Sequence, residues 1–271
     1  MCYEPAARPP LPPISGGAGT AEVEDLVLGS ADGATFRVVS ARARAAGAPG
    51  IVILPDVRGL HPFYRELAVR FAEVGVHATA IDYFGRTAGV GERDEDFDHM
   101  AHVRRTMPDE VAMDVAAAVT HVRSAAGGDA SDVFTVGFCF GGRKSFNQAA
   151  RGHGLAGVIG FYGFPMPRDE DDDEAPGDAI GSFECKVLGL FGGADRAIPV
   201  SSVQAFRAAL EAADVPNEIV IYPDAPHSFF DRTCDEHREA CDDAWRRMLA
   251  FVGWSAAGRR SLSQVAHRMS R

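Results

Sequence analysis

The chain has no uninterrupted apolar run approaching the ~18 residues that a membrane span requires; Gly, Pro or charge breaks each hydrophobic stretch first. Met1 to Thr20 also lacks the basic-then-apolar layout of a secretory leader. The expectation is a cytoplasmic protein with no membrane partner. Cysteine is sparse, five in 271 residues, an odd number without framework spacing, which fits a reducing compartment rather than a disulfide scaffold. Positive charge is in deficit: 27 Lys and Arg stand against 38 Asp and Glu, for a formal charge of −11. That balance argues against nucleic acid or an anionic membrane as the main partner, and it repels an anionic substrate unless arginines are placed locally. A dinucleotide loop needs G-x-G-x-x-G after its strand, and the glycines at 137, 141 and 142 do not match it. What remains, 46% hydrophobic and 24% charged residues, is ordinary for one large globular α/β domain.

Val133 to Asn147 is the stretch around which the rest is organised. A β-branched run leads into Gly137-Phe138-Cys139-Phe140-Gly141-Gly142, followed by helix-compatible residues. This reads as strand, sharp turn and helix, with Cys139 at the tip. Gly137 and Gly141 stand two residues either side of the cysteine, where a strained strand-to-helix turn leaves no room for a Cβ. The pattern is the G-x-S-x-G nucleophile elbow with sulfur replacing oxygen. Such a turn lifts the side chain off the sheet and leaves the Phe140 amide, at the helix N-terminus, free for a developing oxyanion. A buried, inert cysteine is the commoner fate of this residue type, but it needs no such glycine bracket.

Residues 1–20 are rich in Pro and then Gly and cannot hold regular structure by themselves; a tail or draped arm is expected. Glu22 to Leu28 and Ala34 to Ser40 alternate and are joined by a turn, predicting an antiparallel hairpin. Gly50 to Pro55 reads as a strand buried on both faces, Pro62 to Val74 as a helix and Val76 to Ile81 as a strand, which together make one βαβ unit. Gly85 to Met107 is polar and irregular, and a helix is predicted from Pro108 to Ala125. After the elbow come a strand (Leu155 to Gly163), an acidic segment (Met166 to Ser182) expected to be a solvated loop, and a strand from Val187 to Phe191. A helix (Ser201 to Ala213), a strand (Glu218 to Tyr222) and a last helix from about Asp235 to Val252 complete the alternation. This order specifies a mostly parallel, doubly wound sheet flanked by helices. The main domain is therefore 21–253, and 254–271 is a basic tail with four arginines and no acid.

A thiol attacks as thiolate, and a free cysteine with pKa of about 8.5 needs a base or positive field beside it. In an elbow fold the partners come from loops after later strands, in the order nucleophile, acid, histidine. Asp195 follows its strand directly and His227 follows the next. The expected roles are nucleophile for Cys139, general base then acid for His227, and orienter of the imidazole for Asp195. A second oxyanion amide is expected from the loop after an early strand, here Pro55-Asp56-Val57-Arg58-Gly59, with Val57 as the donor and Asp56 beside the cysteine. Two metal-like patterns fail. Asp94, Asp96 and Asp98 open like a calcium loop, but His99 stands where Gly is needed and Arg105 where a Glu should be. Cys234, His237 and Cys241 share a helical face without a fourth ligand, and such residues on a terminal helix usually pack. No metal site and no cofactor are expected.

The elbow Gly-Phe-Cys-Phe-Gly-Gly, the loop Pro-Asp-Val-Arg-Gly-Leu with Pro-Phe-Tyr-Arg-Glu-Leu behind it, Gly-Gly-Ala-Asp-Arg-Ala-Ile-Pro and Ala-Pro-His-Ser-Phe-Phe together resemble the dienelactone hydrolase (carboxymethylenebutenolidase) family. The resemblance spans about Glu22 to Val252. It implies an α/β-hydrolase fold without a large cap, a monomer or homodimer, and Cys139, Asp195 and His227 as the triad. It also implies that a carboxylate in the early loop holds the resting thiol; the family usually has glutamate there, and this chain has Asp56. Family enzymes grip a substrate carboxylate with arginines near the middle loop and just past the histidine, so Arg232 and one of Arg86, Arg93, Arg104 or Arg105 are candidates. The function implied is hydrolysis of a small ester or lactone, of the dienelactone enol-lactone kind, through an acyl-thioester. A same-fold esterase with another ester substrate, and a small-ligand-binding protein of this fold without turnover, are the alternatives.

Overall fold

The computed structural model describes residues 6–13, 21–93 and 97–253; the C-terminal basic tail, Asp94 and Asp96 lie outside them. Eight strands form one sheet in the order β1-β2-β4-β3-β5-β6-β7-β8. β1 (Glu22–Gly29) and β2 (Thr35–Arg42) are the antiparallel hairpin, and β2 also pairs antiparallel with β4 (His77–Ile81). From β4 onward every pairing is parallel, through β3 (Gly50–Leu54), β5 (Val133–Phe138), β6 (Gly157–Phe161), β7 (Lys186–Gly192) and β8 (Asn217–Tyr222). This is the expected mostly parallel sheet.

Because successive strand side chains point to opposite faces, an unbroken apolar strand feeds two cores. Ile51 and Ile53 of β3 join the larger core, while Val52 and Leu54 join the smaller one. The larger core is closed by α1 (Pro62–Glu73), by Phe146 of the elbow helix, and by α6 (Val200–Ala212) and α7 (Arg238–Phe251). The smaller is closed by α4 (Pro108–Arg123), whose Val111, Val115, Val119 and Val122 form its buried stripe. Pro at the first position starts both α1 and α4, where its missing N–H costs nothing, and Asp109 and Glu110 sit in the first turn of α4.

Three expectations are refined. The polar segment after β4 contains two short helices, α2 (Gly85–Ala88) and α3 (His99–Val103), the second capped by Asp98. Residues 6–13 drape over the domain: the Trp245 indole donates to the Pro10 carbonyl at 3.0 Å, and Arg8 pairs with Glu66 at 2.6 Å. The acidic segment is in part the expected exposed loop, with Asp169, Glu170, Asp171 and Asp173 exposed, but two of its carboxylates turn inward. Asp172 is buried against Arg143, and Glu174 meets Lys144 at 2.6 Å, so this loop neutralises two buried cations on α5 (Phe140–Asn147), the helix that follows the elbow. Among the described residues no helix is long and apolar enough to cross a membrane.

Candidate active site

Cys139 stands between β5 and α5, capping the helix with φ 54° and ψ −113°, a backbone conformation that a side-chain-bearing residue adopts only under constraint. The constraint is visible in the flanking glycines. A Cβ on Gly137 would lie 1.9 Å from the Gly141 carbonyl oxygen, and one on Gly141 would lie 2.1 Å from the oxygen of Leu54 and 2.3 Å from that of Pro55. A Cβ on Gly142 would meet the Phe161 oxygen at 2.4 Å. The helix thus starts in backbone contact with β3 and β6, and only glycine permits it. The Cys139 amide donates to the Phe161 carbonyl, 3.0 Å, which pins the turn to β6.

Asp195 and His227 come from the loops after β7 and β8. Asp195 Oδ1 accepts the backbone N–H groups of Ala197 (2.8 Å) and Ile198 (3.1 Å), and its Oδ2 bonds His227 Nδ1 at 2.7 Å. The Asp195 side chain is 1% exposed and that of His227 15%. With Nδ1 committed to the carboxylate, Nε2 is the nitrogen left for chemistry; it is buried and has no hydrogen-bond partner among the described residues. The His227 ring stands 5.0 Å from the Tyr162 ring. Burial raises the Tyr162 hydroxyl well above its usual pKa, and the charges of Asp231, Asp56 and Cys139 push it in the same direction. Cys139, Tyr162 (φ 36°) and Ser228 (φ 59°), beside His227, are three of the five non-glycine residues with positive φ among those described. Backbone strain gathers at this end of the sheet, as at many sites.

Among the described residues, the amides of Val57 and Phe140 donate to no backbone carbonyl outside helix or strand ladders. Their loop is fixed by neighbours: the Asp56 N–H donates to Tyr64 Oη at 3.0 Å, and Tyr83 Oη donates to the Pro55 carbonyl at 3.0 Å. The Asp56 carboxylate is engaged by Arg58, accepting its backbone N–H (2.9 Å), its Nε (3.0 Å to each oxygen) and its Nη2 (2.7 Å). Asp231 takes the same Nη2. Asp56 thus anchors a buried ion cluster, a role the sequence reading did not foresee.

The candidate arginines are dispersed. Arg86 is held by Asp114 (2.8 Å) and Asp32, and Arg93 by Asp82 (2.7 Å), so both serve buried ion pairs around β2, β4 and α4 rather than the triad. Arg104 and Arg105 are exposed beyond α3. Arg232 is exposed and borders a cavity of about 450 Å³ between the 6–11 arm and the start of α7. Arg58 and Asp231 carry signals that the sequence does hold: each is a charge set among apolar neighbours, in Asp-Val-Arg-Gly-Leu and Ser-Phe-Phe-Asp, where burial demands a counterion. Cys234 and Cys241 pack, the second almost fully buried, and no group of three or more His, Cys, Asp or Glu among the described residues is placed to hold a metal ion.

A mostly parallel sheet with a strained strand-to-helix turn at Cys139 and an acid–histidine pair on the loops after β7 and β8 is the arrangement of an α/β-hydrolase. The Dienelactone hydrolase family model matches residues 36–255, and the chain belongs to that family and is a hydrolase. It is 31% identical over 208 residues to a "Putative carboxymethylenebutenolidase" of Escherichia coli (strain K12), covering 75% of this chain and 76% of that one. It is 30% identical over 207 residues to a "Carboxymethylenebutenolidase" of Rhodococcus opacus, covering 74% and 79%. The crystal structure of a "Putative Dienelactone Hydrolase" from Klebsiella pneumoniae superposes with a TM-score of 0.76 at 28% identity, over 88% of this chain and all of the other.

Proposed function

We propose that the protein hydrolyses small carboxylic esters or lactones, enol-lactones of the dienelactone kind among them, with Cys139 as nucleophile and without a cofactor. The observation that carries this is the strained Cys139 elbow at the end of β5, at the same end of the sheet as a His227 whose Nδ1 is fixed by Asp195 and whose Nε2 has no hydrogen-bond partner among the described residues. In this reading His227 Nε2 takes the thiol proton and the thiolate attacks the carbonyl carbon. The N–H groups of Val57 and Phe140 hold the oxyanion. Collapse breaks the ester C–O bond, the imidazolium returns the proton to the leaving oxygen, and an acyl-thioester remains. Water, deprotonated by the same nitrogen, then attacks the thioester; the acid leaves and the thiol is restored. The family's other relatives in name, carboxymethylenebutenolidases, support the lactone class. One measurement tests it: a chromogenic short-chain ester assay with and without iodoacetamide, with mass spectrometry of the labelled thiols. Cys139 is expected to label first, with activity lost in step. Burial raises the pKa of the Cys185 thiol to about 11 and pushes those of Cys234 and Cys241 up as well, so labelling of these with Cys139 untouched would sink the assignment.

A further inference from the structure

The Val57 amide, one of the two read as oxyanion donors, belongs to a loop, and a loop keeps a donor on target only where something fixes its peptide planes. The peptide joining Pro55 to Asp56 is gripped at both of its polar ends. Its carbonyl oxygen accepts the Tyr83 hydroxyl at 3.0 Å, and its N–H donates to Tyr64 Oη at 3.0 Å. The two groups of a trans peptide point in opposite directions, so the tyrosines hold the plane from opposite sides and stop it rocking. Both side chains are buried, Tyr64 completely and Tyr83 with 2% exposure. Beyond this plane the chain turns on its own bonds: Asp56 Oδ1 accepts the Arg58 N–H (2.9 Å) and the Asp56 carbonyl accepts that of Gly59 (3.1 Å). The Val57 N–H lies on the peptide between these fixed points. Tyr83 makes a second contact. Its ring meets that of Phe140 edge to face, with centroids 5.5 Å apart at 85°, and Phe140, which opens α5 directly after Cys139, carries the other oxyanion amide. Tyr83 follows β4, which lies beside β3, which lies beside β5. The side chain therefore reaches across the end of β3 and touches both halves of the hole.

We propose that Tyr83 is a positioning residue for the oxyanion hole, with Tyr64 as its counterpart, the pair fixing the spacing and aim of the Val57 and Phe140 N–H groups. The inference rests on the Cys139 reading and adds to it two residues that act through the backbone. A buried tyrosine needs some partner for its hydroxyl, and for stability alone any buried polar group would serve. Here both hydroxyls fall on one peptide, the one that precedes the donor. Without the Tyr83 hydroxyl the Pro55 carbonyl loses that donor and the plane is free to rotate, which carries the Val57 N–H off line. Hydrogen bonds weaken steeply as their angle closes. Losing an oxyanion donor outright costs on the order of 10² to 10³ in kcat, so misaiming one forfeits part of that, on the order of 10- to 30-fold. The loss falls on kcat rather than KM, because the charge on the oxygen develops only in the transition state.

Tyr83→Phe removes the hydroxyl and keeps the ring on Phe140; Tyr64→Phe removes the other grip. Each full-length variant is given a neutral chromogenic ester, butyraldehyde as a reversible inhibitor, and iodoacetamide. The aldehyde adds the Cys139 thiol across its C=O: the S–C bond forms, the π pair becomes the oxyanion, and His227 takes the thiol proton, so aldehyde affinity reports the hole. Alkylation forms an S–C bond at a saturated carbon and expels iodide. No oxyanion arises there, and its rate reports the thiol and His227 alone. The expected result in each variant is a kcat lower by on the order of 10- to 30-fold, a KM within about twofold of wild type, an aldehyde inhibition constant raised by a factor like that in kcat, and an unchanged rate of Cys139 alkylation. Tyr83→Leu, which loses the ring contact as well, should lose more than Tyr83→Phe. The two tyrosines grip the same peptide from different elements, so either variant decides the matter if the other does not fold. Unchanged kcat and aldehyde affinity, or a kcat loss matched by equally slowed alkylation, overturns the positioning role while leaving the triad standing. A wild-type protein that neither hydrolyses the ester nor labels at Cys139 overturns the Cys139 reading and this role with it.

Discussion

Gly141→Ala isolates what the elbow packing does for chemistry. The added Cβ would sit 2.1 Å from the Leu54 oxygen and 2.3 Å from the Pro55 oxygen, against the 3.4 Å at which ordinary contact begins. The overlap is thus about 1 Å on each of two atoms, well up the repulsive wall. Neither atom can rotate away, because both are backbone, at the end of β3 and directly before Asp56 and Val57. Relief therefore moves the β3 loop away from the start of α5, and the Val57 and Phe140 amides separate. If those two N–H groups hold the oxyanion, a displacement of about 1 Å forfeits most of one donor, a loss on the order of 10² to 10³ in kcat. Overpacking in such a place costs about 1–3 kcal/mol of stability, which a domain of this size survives. The assay is kcat and KM for a neutral chromogenic ester beside a thermal melt, with Gly91→Ala as control, since a Cβ there meets nothing within 4 Å. A folded Gly141→Ala protein whose kcat stays within about threefold of wild type would refute the reasoning, because such a loss is too small for a displaced oxyanion donor.

Two further outcomes are expected. In Asp195→Asn the side-chain oxygen stays with the Ala197 and Ile198 amides, so the new NH2 faces His227 Nδ1, the proton moves to Nε2, and the base is lost; kcat should drop by about 10³ to 10⁴ at nearly constant KM and Tm, and an unchanged pH–rate profile would exclude the pairing. The Asp231 pKa, about 6 when folded, lies above the ordinary unfolded value, so its contribution favours the folded state in acid and is lost as pH rises through about 6. Asp231→Asn, which does not titrate, should therefore gain on wild type by roughly 2–3 kcal/mol between pH 4 and pH 7 in urea unfolding, and a difference independent of pH would show that Asp231 is not a strained carboxylate.

The fold was legible because its signals are local and repeated. Apolar runs such as Gly50 to Leu54, proline at the starts of α1 and α4, and the glycine bracket around Cys139 each specify backbone geometry without knowing what lies across the sheet. The pairing of His227 with Asp195 was legible for a related reason: chain order and strand order coincide from β5 to β8, so consecutive strand ends are neighbours in space. Charges are different. Arg86 was a reasonable candidate by its distance along the chain, yet its partners Asp32 and Asp114 come from the hairpin turn and from α4, and nothing local announces them. Within the otherwise exposed acidic run 169–174, the inward turn of Asp172 and Glu174 was hidden because their counterions, Arg143 and Lys144, lie on the elbow helix.

Asp56 shows the same limit where it matters most. Its place in the loop suggested a partner for the thiol; what the sequence did not announce is Arg58, two positions on, whose backbone and side chain both reach back to the carboxylate. Once Arg58 is bound there, a second carboxylate that approaches it from the histidine loop must share it, and Asp231 is left with an unpaired oxygen and a raised pKa. Ion pairs made to neutralise a buried charge are strong when balanced and costly when not.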